Sequence, residues 1–134
     1  MIFAPLLNKT EEEIFQIIYR HFLKQRCRSV SWQYRPNCHY RHPVDPNIKC
    51  AIGALISDED YNINMERKSV SRLIAAEIGT TLFEGFPLEY ARLHAFLSQM
   101  QTIHDDAVDY DSMMQSYADY AKKRNFTLPT LENA

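Results

Sequence analysis

Apolar positions in the first part of the chain fall at helical spacing, with Ile14, Ile17, Ile18 and Phe22 recurring every three or four residues, the period of a helix with one buried face. Thr10 with Glu13 three residues on is a capping-box pattern, and Glu11 and Glu12 complement the positive end of the helix dipole. A helix is therefore predicted from about Glu11 to about Gln25. The period then drops to two: Val30, Trp32 and Tyr34 alternate with Ser29, Ser31 and Gln33, the signature of a half-buried strand. Pro36-Asn37 turns the chain, and Cys38 to Arg41 can pair back as a second short strand. Such a hairpin cannot stand alone in water, so a helix must cover its apolar face.

Residues 42–48, HPVDPNI, hold two prolines, an aspartate and an asparagine, which predicts an irregular loop. It leads into Cys50 to Ile56, an apolar run expected to be short, buried and helical, with Gly53 where another backbone comes close. Ser69 is a cap for a helix with Val70, Leu73, Ile74 and Ile78 on its buried side, stopped by Gly79. Leu82, Phe83 and Phe86 form a linker too apolar to be left in solvent. Pro87 opens the longest helix, to about His104, and Asp109 or Asp111 starts a last one whose Lys122, Lys123 and Arg124 sit at its negative end. The expected fold is α+β, mostly helical with four to five helices and one short antiparallel β-hairpin. It forms one globular domain over 1–134, with an extended tail from about 127.

Composition bounds the function classes. A chain of 134 residues that is 46% hydrophobic can build one core. No apolar stretch approaches membrane-spanning length, and the opening MIFAPLLNKTEEE has no basic n-region, so the expectation is a cytosolic protein without a membrane partner. Cys27, Cys38 and Cys50 are an odd number without close spacing, which fits a reducing compartment. Charge is uneven: between residues 15 and 49, seven basic residues face Asp45 alone, a local +6 that leaves −8 for the rest of a chain of net −2. With Trp32 and Tyr40 beside Arg28, Arg35, Arg41, His42 and Lys49, this block has the elements of a binding surface, for a protein in the first place and for nucleic acid through phosphates and stacked bases in the second. A solvated face accounts for the same charges.

Projected at roughly 100° per residue, the long helix places Leu93, Phe96, Leu97, Met100 and Ile103 on one arc. His104 falls inside that arc, with Tyr90, His94 and Gln101 flanking it. One reading is a core histidine satisfied by a backbone carbonyl or by Tyr90. The other pairs it with Cys50: a thiolate at a helix start near Lys49 and Arg41, His104 as base, and Asp105 or Asp58 as orienting group. Zinc on Cys38, His39 or His42, Cys50 and His104 lacks the paired short spacings of structural sites. No metal or cofactor is expected. The carboxylate pairs Asp58/Asp60 and Asp105/Asp106 are taken as helix-end residues.

Tyr40-Arg41, Lys49 to Ile56 (KCAIGALI), Asp58 with Tyr61, Met65, Glu66, Lys68, Ser69 and Val70, and then Leu97, Gln101, Ile103, His104 and Asp105 make up a pattern, YR…KCAIGALI-D-x-x-Y…ME-x-KSV…LxxxQxIHD. It resembles a family of small uncharacterised proteins of bacteria and their phages. The likeness spans roughly residues 38 to 105 and departs from the family at Arg67, usually glycine, and Ala54, often a second cysteine. It brings no activity; it implies a site in this region. Short proteins carried by phages often block a host component, so the expected function is an accessory or inhibitor protein of phage or mobile-element type that binds a host or phage protein. The alternative is a thiol-dependent hydrolase or transferase using Cys50 and His104.

Overall fold

The first helix is built as its spacing requires. Thr10 Oγ1 accepts the Glu13 amide at 3.1 Å while the Glu13 carboxylate takes the Thr10 amide at 2.9 Å, closing the capping box. Helix α1 (Glu11–Gln25) follows and buries Ile14, Phe15, Ile18 and Phe22, each worth about 1.5–3 kcal/mol relative to exposure. Residues 1–31 and 37–131 are described in this computed structural model. Among them are three further helices, α2 (Val70–Ile78), α3 (Leu88–Asp106) and α4 (Tyr110–Arg124), with 3-10 turns at Ala4–Asn8, Gly53–Leu55 and Ile63–Met65. Ser69 caps α2 as the sequence predicts, and of the two candidates for the start of α4 it is Asp109 that caps it, with Asp111 in the first turn. The protein is α-rich. One contiguous core runs from Ile2 to Ala121, and in its middle Phe22 stacks on both Tyr117 and His104, at 5.8 and 5.7 Å.

The expected hairpin is not shown. Strands β1 (Val30–Ser31) and β2 (Asn37–Cys38) lie antiparallel, with Val30 opposite Cys38, but they are two residues each. The second strand does not continue to Arg41, because the amides of Tyr40 and Arg41 leave the ladder for the Glu66 carboxylate, each at 3.0 Å. Arg41 makes only an isolated bridge to Lys49. Trp32, Tyr34 and Arg35 lie outside the described residues.

The segment 80–87 also differs from expectation. Thr80 and Thr81 hydroxyls bond to Glu84, and the Glu84 amide bonds back to Thr81. This self-contained turn leaves Leu82 half-exposed and Phe83 fully exposed; only Phe86 of the three packs inward, against the His94 ring. The tail is tied down at its start: Glu12 takes the Thr127 amide, Gln16 donates to the Thr127 carbonyl, and Pro129 is buried. At the other terminus the Glu77 carboxylate collects the amides of Ile2, Phe3 and Ala4, holding Phe3 and Leu6 in the core.

Two backbone positions near the motif residues make opposite demands. A Cβ on Gly53 would stand 2.0 Å from the Tyr40 carbonyl oxygen, and backbone there cannot yield. Arg67 holds φ at +67°, a left-handed conformation that a side chain with a Cβ adopts at a cost of about 1–2 kcal/mol. Gly53→Ala should therefore lower unfolding stability by about 3 kcal/mol or more, while Arg67→Gly should raise it by about 0.5–1 kcal/mol. Urea unfolding midpoints of the two variants check both signs.

Candidate functional site

A cleft of about 410 Å³ opens between the segment around Cys38 to Tyr40, the start of α2 and the outer side of α3. One of its walls is fixed by Glu66. Besides the Tyr40 and Arg41 amides, this carboxylate accepts the Tyr61 hydroxyl at 2.6 Å. Arg41 completes the brace: its guanidinium donates to the Ile56 carbonyl, pairs with Asp58 at 2.8 Å and lies 4.3 Å from the Tyr61 ring centroid. Tyr40, 8% exposed, donates its hydroxyl to the Lys68 carbonyl. Tyr40, Arg41, Asp58, Tyr61, Glu66 and Lys68 thus meet in one place, and their contacts hold the loops together.

Asp105 lines the cleft, and two side chains orient it. The first is His104, which is completely buried. Its Nε2 lies 3.0 Å from the backbone amide of Ser29. An amide can only donate, so Nε2 carries no proton and the ring proton sits on Nδ1, which donates to Asp105 Oδ1 at 2.9 Å. The second is Gln101, whose side-chain amide donates to the same oxygen at 2.7 Å while its carbonyl accepts the Ile52 amide at 3.1 Å. The Cys38 sulfur stands near them, within 4.8 Å of the His104 and Asp105 donor atoms. Burial pushes the Asp105 carboxyl up, but the hydrogen bonds from His104, Cys38 and Gln101 outweigh it and hold it below its ordinary value. It is ionised at neutral pH.

This carboxylate is not at a helix-end position that favours it. Asp105 lies in the last turn of α3, where the dipole is negative and a carboxylate is destabilising. Arg28 compensates from below, its Nε donating to the His104 carbonyl at 3.0 Å and its Nη2 to the Asp105 carbonyl at 3.2 Å. Arg28 is thereby a staple on the end of α3 rather than a free contact for a partner. Arg41 is likewise committed, as above; at Lys49 it is the backbone, through both its N–H and C=O, that pairs with the Gln25 side chain. Sequence reasoning missed Glu66 as the organising carboxylate and Ser29 as the partner of His104, since neither leaves a periodic signal.

The thiol arrangement does not form. Cys50 is 1% exposed, its sulfur accepts the Gly53 amide at 3.4 Å, and burial pushes its thiol far above the ordinary range. Lys49 and Arg41 do not offset this. Both nitrogens of His104 are engaged, with Ser29 and Asp105, so no lone pair is left to take a proton from Cys50. Cys38 is the more accessible thiol, but burial first and the adjacent Asp105 carboxylate second push it up to about 12.

Cys38, His104 and Asp105 bring their donor atoms within 4.8 Å of one another, the ligand types of a zinc site. The ring proton is misplaced for that role. With Nε2 occupied by the Ser29 amide, Nδ1 could bind a metal only by losing its proton and leaving the ring an imidazolate. His39 and His42 are bound elsewhere, to Ser31 and to the Val30 carbonyl.

The three thiols, all free, give a direct check. Alkylation of Cys50 should be undetectable in native protein and should follow urea unfolding, and native Cys38 should label at pH 8 more than about a hundredfold slower than a free thiol of pKa near 8.5. Fast native labelling of Cys50 would contradict the sealed sulfur. No protein-family model, curated protein or solved structure matches this chain, so what it does is argued from the geometry of this site.

Proposed function

We propose that the protein is a small cytosolic accessory or inhibitor protein of the phage or mobile-element type, and that it acts by binding a macromolecular partner, a host or phage protein. Its contact surface is the loop 42–48 with the cleft beside it; the two adjoin through the His39 and His42 rings, 6.0 Å apart. The observation that carries this reading is the loop's internal bracing. His42 Nδ1 accepts the amides of Val44 and Asp45, Asp45 Oδ1 accepts the Asn47 amide, and the His42 and Ile48 amides donate to the carbonyls of Ile48 and Asp45. At its tip Val44 is 85% exposed. A loop already ordered forfeits little conformational entropy on docking, which favours affinity, and an apolar tip on such a loop suits a partner's pocket.

A protein partner is preferred to nucleic acid because Arg28 and Arg41 are spent inside the fold. No helix among the described residues is long and apolar enough to cross a membrane. The thiol hydrolase or transferase reading, with Cys50 and His104, is set aside because the sulfur is sealed and the imidazole has no free lone pair.

Affinity capture with the whole chain tests the proposal. Val44→Asp should lose the partner while circular dichroism and melting temperature stay unchanged, since an exposed side chain contributes little to stability. Val108→Asp, at a residue 81% exposed on the turn between α3 and α4, should keep it. Retention by Val44→Asp, or loss by both variants alike, would overturn the assignment of the loop.

A further inference from the structure

Holding Asp105 in place is expensive for the fold. A fully buried imidazole must be desolvated, a glutamine is fixed by a backbone amide from another segment, and the carboxylate sits at the wrong end of a helix dipole. A group that served only to end α3 would need none of this. Departures from local preference that the surroundings actively support mark functional positions. The carboxylate's Oδ1 is filled by His104 and Gln101, yet the side chain remains 39% exposed and faces the cleft. Arg67 and Lys68 also line the cleft, but among the described residues no arginine or lysine side chain forms an ion pair with Asp105, whose pairing is to His104. The other carboxylate lining the cleft, Glu66, is 15% exposed and is used up by two amides and a hydroxyl.

We infer that the cleft is a recognition site for a cation, in which Asp105 pairs with a guanidinium or primary ammonium group of the ligand. The geometry suits that class. Oδ1 is anchored and the remaining face of the carboxylate is presented to a cavity of about 410 Å³, within the range of about 300–1,000 Å³ typical of ligand sites. With Oδ1 filled, Oδ2 is left to accept an N–H from a guanidinium or ammonium group, a charge-assisted hydrogen bond. Hydroxyls of Ser69, Ser98 and Thr102 line the walls and can take the remaining donors. The cation can come from a free small amine or from an arginine or lysine side chain of a bound protein; in the second case the inference extends the binding function proposed above and rests on it.

The test uses the whole chain and three probes, followed by amide and side-chain NMR shifts. n-Butylguanidinium should titrate the resonances of Gln101, Cys38 and Ser69 and saturate at millimolar concentration, while n-butylurea, its neutral isostere, should not. Asp105→Asn keeps an acceptor for His104 and Gln101 and should weaken n-butylguanidinium at least tenfold. Ser98→Trp puts an indole into the cleft while leaving Asp105, His104 and Gln101 themselves unsubstituted, and should abolish binding. An acetyl-Ala-Arg-Ala-amide peptide that binds more tightly than n-butylguanidinium identifies a protein side chain as the source; a weaker one identifies a free small cation. Equal shifts from n-butylurea, or n-butylguanidinium affinity unchanged in Asp105→Asn or in Ser98→Trp, would overturn the cation site. A partner lost with Val44→Asp but indifferent to Asp105→Asn would leave the binding function standing without it.

Discussion

The contact on which the site depends is the bond from the Ser29 amide to His104 Nε2. It ties the residue just before β1 to the far end of α3, 75 positions away in sequence. It also fixes where the ring proton sits, and from that follow the orientation and ionisation of Asp105. The imidazole is neutral hardware here. It stacks on Phe22 as a core side chain does and at the same time passes one hydrogen bond from the backbone to a carboxylate. Arg28 secures the same corner through the last carbonyls of α3, so the segment 28–29 and the helix end are locked from two sides.

Glu66 does for the neighbouring loops what His104 does for Asp105. A single carboxylate with 15% exposure replaces the strand pairing that Tyr40 and Arg41 would otherwise need, and it holds Tyr61 as well. Gly53 then passes under the Tyr40 backbone in a space no side chain can enter. The consequence is a wall made of loops yet held by charge-assisted bonds, which is the type of construction expected where a surface must keep a defined shape without regular secondary structure.

Much of the helical frame was legible because its causes are local. The Thr10 to Glu13 box, the Ser69 cap with Gly79 as stop, and the arc on α3 that turns His104 inward all act within a few residues of one another. The strand reading failed at Tyr40 and Arg41 for the opposite reason, since alternation in sequence says nothing of Glu66, 26 and 25 residues on, which captures both amides. The basic block misled in the same way: Arg28 and Arg41 carry charge, and only the fold reveals that they cap carbonyls. The linker at Leu82 and Phe83 reads as buried by composition, yet the Thr–Glu turn that forms there leaves those two side chains outside. For the site, position 105 is recognisable in the sequence, but as an orienting group for a His104–Cys50 pair whose sulfur the fold seals away.

The proton on His104 is the most direct point at which this account can be examined. Long-range proton–nitrogen correlation at pH 7 on protein labelled with nitrogen-15 distinguishes the two neutral forms of the ring. The hydrogen bonds described here require His104 to be protonated at Nδ1, with Nε2 as the unprotonated acceptor of the Ser29 amide. A ring protonated at Nε2 would contradict the bond to Ser29, and with it the claim that a buried histidine is held in place to aim Asp105 into the cleft.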